Sequence, residues 1–252
     1  SMFFVNDMQT TQKWRLKGHC EDDFWKFVSN WAVMISNPKD LGFNGNNYIL
    51  PKLNIIEMQI QSKKKNDDRL FNDISINATD YNDELRNTKE ERLNKVVDII
   101  KNNPDDSFII WIKQNEEGDY LKKILPDAVE VRGNEDGDVK SRKLLDFANN
   151  KFKILITKTK IAQFGLNFQN SNNMIFASLD FSFESTYQAI RREWRFGQKK
   201  EVNVYMICTD TMQNIPAIFN EKQKKFKNMQ NKMIKYFKNG SDLKMLKNTI
   251  LN

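Results

Sequence analysis

From about residue 89 the chain alternates between amphipathic stretches and short apolar runs, and this rhythm constrains the fold more than any other feature. Lys89 to Lys101 sets Leu93, Val96, Val97 and Ile100 on one helical face, and Pro104 stops it. Phe108-Ile109-Ile110-Trp111-Ile112 is apolar without a break, as a strand covered on both faces must be. Tyr120 to Leu125 then reads as a short helix and Ala128 to Val131 as a strand. Val139 to Asn149 reads as a helix and Ile154 to Thr157 as a strand. Met174 to Ala177 is a strand, Glu184 to Trp194 a helix, and Val202 to Ile207 the closing strand. Such alternation predicts an α/β fold: a parallel sheet with helices on both faces. Ligands of such sheets sit at the carboxyl ends of the strands.

The flanks follow another pattern. Residues 21–35 space Phe24, Phe27, Val28, Trp31 and Ile35 as an amphipathic helix behind the acidic start Glu21-Asp22-Asp23. Pro38 and the glycines Gly42 and Gly45 break the chain, Ile49 to Ile60 reads as one strand or two, and 61–68 as a polar loop. Beyond residue 211, Phe219, Phe226, Met229, Met233 and Phe237 form a stripe on a basic helix. Such a stripe more often braces a domain than meets a ligand.

Charge is uneven. Residues 1–150 carry 22 Lys+Arg against 26 Asp+Glu, whereas 151–252 carry 18 against 7. By itself this fits either a solvated lysine-rich surface or a polyanionic partner. Two distant cysteines, Cys20 and Cys208, and one histidine, His19, offer neither a disulfide framework nor a metal site, so the metal expectation is none. No apolar run reaches membrane-spanning length, and no signal peptide opens the chain, so the expected setting is cytoplasmic, with no membrane partner. Ser1-Met2 reads as a tag remnant, and the chain as a piece of something longer.

The densest chemistry lies in Gln188-Ala189-Ile190-Arg191-Arg192-Glu193-Trp194-Arg195-Phe196-Gly197-Gln198. On a helix, Arg192 and Arg195 would share a face. Paired guanidiniums there make a multi-donor clamp for phosphate oxygens. Upstream, Thr159-Lys160-Ile161-Ala162-Gln163-Phe164-Gly165-Leu166-Asn167 follows the apolar run Ile154-Leu155-Ile156. Before that come Val131-Arg132-Gly133, Arg142 and Phe147.

In this order the three stretches resemble the C-terminal RecA-like lobe of superfamily 2 helicases, closest to the Snf-type translocases. The first resembles the last conserved motif, Q-x-x-x-R-x-x-R-x-G-Q. The second is similar to the fifth, T-x-x-x-x-x-G-[LI]-[ND], and the third to a G…R…F stretch. Ala162-Gln163 stands where the Snf branch usually carries two glycines. The resemblance implies that Arg192 and Arg195 are catalytic, reaching ATP held by a sister lobe. It implies nucleotide contacts at Gln188, Gly165 and Asn167, and nucleic-acid contacts at Thr159, Lys160, Gly133 and Arg142. Beside these motifs the basic half favours nucleic acid, duplex DNA ahead of single strand. The compact W-R-F-G-Q run also looks phage-like.

No G-x-x-x-x-G-K-[ST] occurs, and no glycine precedes a lysine. Asp83-Glu84-Leu85-Arg86 lacks a buried strand before it and reads as a helix start rather than a magnesium box. The chain therefore reads as the second lobe alone: a junction with the first lobe over 1–84, the lobe over 85–210 and a basic helical extension over 211–252. ATP and Mg²⁺ are implied for the longer protein, whose ATP-binding lobe would be a partner in the same polypeptide. No cofactor and no ATP hydrolysis are expected of this chain alone. A non-catalytic nucleic-acid or phosphate-binding module on the same fold is the alternative; a methyltransferase lacks its glycine-rich first loop.

Overall fold

The computed structural model describes residues 2–7, 13–60, 78–164, 166–179, 182–209 and 214–238. It divides into two units, one holding residues 50–220 and the other 1–49 with the chain from 221 on.

In the unit that begins the chain, β1 (Phe4–Asp7) pairs antiparallel with β2 (Lys13–Leu16). Four-residue strands are too short to declare a period, so this pairing was not expected. Trp14 lies on β2. α1 (Glu21–Ser29) carries Glu21, Asp22 and Asp23 in its first turn, where the helix dipole favours anions. It ends well short of the expected residue 35. The Ser29 hydroxyl donates back to Lys26 O at 2.8 Å and Asn30 follows, a local competition that stops helices. Phe24 of α1 packs edge-on against Phe4 at 5.3 Å and Phe3 at 5.6 Å.

The larger unit begins with β3 (Leu53–Ile60), α2 (Ala78–Asn87) and α3 (Lys89–Lys101), the last with the bounds read from sequence. β4 (Phe108–Ile112), α4 (Asn115–Ile124), β5 (Val129–Glu130) and α5 (Gly137–Ala148) follow. β6 (Ile154–Lys158), β7 (Asn173–Phe176), α6 (Phe183–Ile190) and β8 (Val202–Thr209) complete the sheet. Asp83-Glu84-Leu85-Arg86 lies inside α2, not at its start: Leu85 is buried, and Arg86 pairs with Asp83 at 3.1 Å.

The strands form one parallel sheet in the order β3-β8-β7-β4-β6-β5. Alternate residues serve opposite faces, because side chains switch sides at every step along a strand. Ile109 and Trp111 join Met174, Phe176, Val204 and Met206 under α5 and α6, with Phe147, Ala189 and Ile190. Phe108, Ile110 and Ile112 join Ile156 and Ile175 under α3 and α4, with Leu93, Val96, Ile100 and Leu121. The expected α/β architecture, a parallel sheet with helices on both faces, is present.

α7 (Asn214–Lys238) follows β8. Phe219 is buried and packs on Phe183 at 5.0 Å. Further along, Ile234 and Phe237 are buried, Lys232 pairs with Glu21, and the Tyr236 hydroxyl meets Asp22. No helix among the described residues is long and apolar enough to cross a membrane.

Candidate functional site: the arginine turn

α6 opens at Ser182, whose hydroxyl accepts from Ser185 N at 3.2 Å, and closes at Ile190. Here the structure corrects the sequence reading: residues 191–197 are turns, not the end of a helix to Trp194. Arg192 N reaches Ala189 O at 3.1 Å and Glu193 N reaches Ile190 O at 3.2 Å, tighter three-residue closures that end the α-helix. Gly197, at φ 90°, completes the reversal in the left-handed region that favours glycine.

Tertiary contacts bring the two arginines together instead of a shared helix face. Phe168 N donates to Arg192 O at 2.9 Å, seating the loop before β7 on the turn. Arg192 Nη1 lies 3.4 Å from Leu166 O, and Arg195 Nη1 donates to Asn167 Oδ1. Gln198 Nε2 donates to Ser171 O at 2.8 Å and its Oε1 accepts from Lys200 N at 3.1 Å. Ser171 stands just ahead of β7, so the turn lies towards the amino ends of the strands.

Arg192 Nε and Arg195 Nε are buried donors with no protein partner. Burial, then the charge of Arg195, pushes the Arg192 guanidinium below its ordinary pKa. Two guanidiniums brought together in this way suit phosphate oxygens, which accept from several N–H donors at once. ATP, which the motifs imply, therefore suits Arg192 and Arg195.

Other side chains fix the turn. Trp194 Nε1 donates to Pro51 O at 2.8 Å, and the half-buried Arg191 lies 5.3 Å over the Trp194 ring. Glu193 is fully buried, makes no ion pair with Arg195, and neither of its oxygens has a hydrogen-bond partner. Burial pushes its carboxyl up to about 8. The Ser171 hydroxyl pulls weakly the other way, but it donates to Ser107 O at 2.7 Å.

The remaining expected residues do not all converge. Asn167 joins the arginines. Gln188 is exposed on α6 and pairs along the helix with Glu184 at 3.2 Å, with no described bond to either arginine. Gly165 falls outside the described residues. Thr159 and the exposed Lys160 follow β6 at the carboxyl edge. Gly133 follows β5, and its carbonyl accepts from Lys140 Nζ at 3.1 Å. A Cβ at Gly133 would meet nothing within 4 Å, so no close packing requires glycine there. Arg142 is exposed on α5. The candidates thus fall into an arginine turn with Asn167 and a separate carboxyl-edge group.

Sequence reasoning missed the full burial of Glu193, the Trp194–Pro51 bond, and a buried ion pair between Arg92 and Glu117. Arg92 sits in the charged run Lys89-Glu90-Glu91-Arg92, so the sequence carried no signal of its burial.

Residues 89–197 match the family model of the Helicase conserved C-terminal domain. All three motifs lie within the helicase match except Gln198. The "Bifunctional helicase and thymine dioxygenase JBP2" of Leishmania braziliensis is 34% identical over 82 residues, covering 32% of this chain and 8% of that protein. The "TATA-binding protein-associated factor MOT1" of Saccharomyces cerevisiae is 33% identical over 96 residues, covering 37% of this chain and 5% of that protein. The "DNA repair and recombination protein RAD26" of Saccharomyces cerevisiae is 25% identical over 149 residues, covering 56% and 14%. The chain thus spans a small fraction of these relatives' length. Among solved structures, the C-terminal part of the Fun30 ATPase domain has a TM-score of 0.46 at 24% identity, covering 53% of this chain and 45% of that one. The C-terminal domain of the DEAD-box protein Dbp5 has a TM-score of 0.47 at 17% identity, covering 60% and 92%.

Proposed function

We propose that residues 85–210 act as the second motor lobe of a superfamily 2, Snf-type ATPase driven by nucleic acid. Arg192 and Arg195 serve ATP held by a first lobe. The observation that carries this reading is the arginine turn: two guanidiniums docked on the Leu166–Phe168 loop, each with a buried Nε left unpartnered. Guanidinium donors presented to charge on a transferring phosphoryl group would stabilise the transition state more than the ground state. An arginine of this kind contributes roughly 10³–10⁵ in turnover. When ATP and Mg²⁺ are bound, the metal neutralises charge on the phosphates.

Thr159, Lys160, Gly133 and Arg142 are proposed to meet the nucleic-acid backbone at the carboxyl edge, and the loop ending at Asn167 links that edge to the turn. Gln188 keeps only the role of an exposed residue at the nucleotide side of α6. Duplex DNA is the proposed partner, supported by the basic second half of the chain. The test is ATP hydrolysis by the protein with both lobes, with and without duplex DNA. Stimulation by DNA supports the motor reading. DNA binding without any hydrolysis would favour a non-catalytic module on the same fold.

A further inference from the structure

The carboxyl edge between β4 and β7 is the switch point of this sheet. β4 leaves towards β5 through α4, whereas β7 leaves towards β8 through α6 in the opposite direction. Doubly wound sheets open a crevice at such a place and use it for a ligand. Here the chain fills it with its own side chains.

Arg92 enters from the first turn of α3 and is fully buried. Its Nε donates to Thr88 Oγ1 at 3.2 Å. Nη1 donates to Ser178 Oγ at 2.9 Å and to Ala177 O. Nη2 donates to Leu85 O at 2.6 Å and Glu117 Oε1 at 2.7 Å. Glu117, equally buried, also accepts from the Ser178 hydroxyl, and its Oε2 takes Lys113 N at 2.9 Å and Gln114 N at 3.0 Å. The Tyr81 hydroxyl donates to Leu179 O, and Lys113 Nζ lies 4.4 Å over the Tyr81 ring. Burial alone would push the Glu117 carboxyl up. The Arg92 charge, the Ser178 hydroxyl and the two amides outweigh it and hold the carboxyl below its ordinary range.

A buried ion pair is a poor device for stability alone, since apolar residues of similar volume usually serve as well. What apolar residues cannot do is grip backbone carbonyls. Arg92 and Tyr81 together hold Ala177, Ser178 and Leu179, the passage from β7 into α6. We propose that Arg92, braced by Glu117, is a positioning residue that fixes this passage and thereby sets where α6 delivers the arginine turn. The claim is independent of what Arg192 and Arg195 bind.

The test uses this chain and site-resolved amide hydrogen exchange. Arg92→Met/Glu117→Gln keeps apolar volume and an acceptor for the Lys113 and Gln114 amides, so its melting midpoint should stay near wild type. Exchange in α6 and residues 191–195 should nevertheless rise about tenfold or more, with β4 and β6 unchanged. Arg92→Ala leaves Glu117 buried and unpaired, so its midpoint should fall, the same exchange should rise, and millimolar guanidinium, filling the vacated site, should restore α6 protection in it. Arg92→Lys, a point charge without the planar fork, should recover only part. Unchanged α6 protection at a wild-type midpoint would overturn the proposal. So would exchange that rises equally in β4, β6 and α6 of Arg92→Ala and does not respond to guanidinium.

Discussion

Glu193→Gln should flatten the pH dependence of this chain's stability, because the glutamate is buried without a partner inside the arginine turn. Its carboxyl stands at an ordinary 4.5 when unfolded and about 8 when folded. A raised acid favours folding only while protonated. Stability from this group is therefore complete below pH 4.5 and lost as pH climbs through 8. Each unit is worth about 1.4 kcal/mol, so the full loss is about 4–5 kcal/mol, of which about 3 has accrued by pH 7. That is large beside a typical domain stability of about 5–15 kcal/mol. Denaturant melts of wild type and Glu193→Gln across pH 5 to 9 read it directly. The quantity to compare is the difference between the two curves, which cancels the other carboxylates and any constant penalty of the buried amide. The wild type should lose about 4 kcal/mol relative to the variant between pH 5 and pH 9, most of it below pH 8. Parallel curves would refute the reasoning, meaning that Glu193 finds a compensating donor or water.

Trp194→Phe removes the bond to Pro51 O while keeping an aromatic ring, and should lower stability by about 1 kcal/mol in a thermal melt. Gly197→Ala places a Cβ at φ 90° against Gln169 Nε2, and about 1–3 kcal/mol should be lost. No loss there would mean that the turn relaxes. This chain alone should not hydrolyse ATP; DNA-stimulated turnover by it, abolished in Arg195→Ala, would overturn the division into two lobes. Duplex DNA should bind weakly and without sequence preference, with affinity falling steeply between low and physiological salt. Binding that is flat across salt would remove the electrostatic account.

The sheet was legible because its strands are apolar on both sides and its helices carry a clean period. Phe108–Ile112 and Lys89–Lys101 stand within the expected bounds for that reason. The hairpin at Phe4 and Lys13 was not, since its strands are short and its partner aromatics come from α1. At the site, the motif spacing singled out Arg192, Arg195 and Asn167, which the structure brings together, but it implied a helix where Gly197 and short closures make a turn. Periodicity cannot report a turn whose shape is set by Phe168 and Gln198 across the chain. Nor can it report partners such as Arg92 and Glu117, which are distant in sequence and meet only at the switch point.

The central claim is that Arg195 acts on phosphate rather than on the fold. DNA-stimulated ATP turnover and the melting midpoint, measured together on Arg195→Ala in the two-lobe protein, test it most directly. Turnover should fall by about 10³ or more while the midpoint stays close to wild type and ATP still binds. Arg195→Lys should recover little of the rate, since lysine lacks the planar fork. A large drop in the midpoint, with residual turnover in proportion to folded protein, would contradict the account and leave Arg195 as a brace for Asn167.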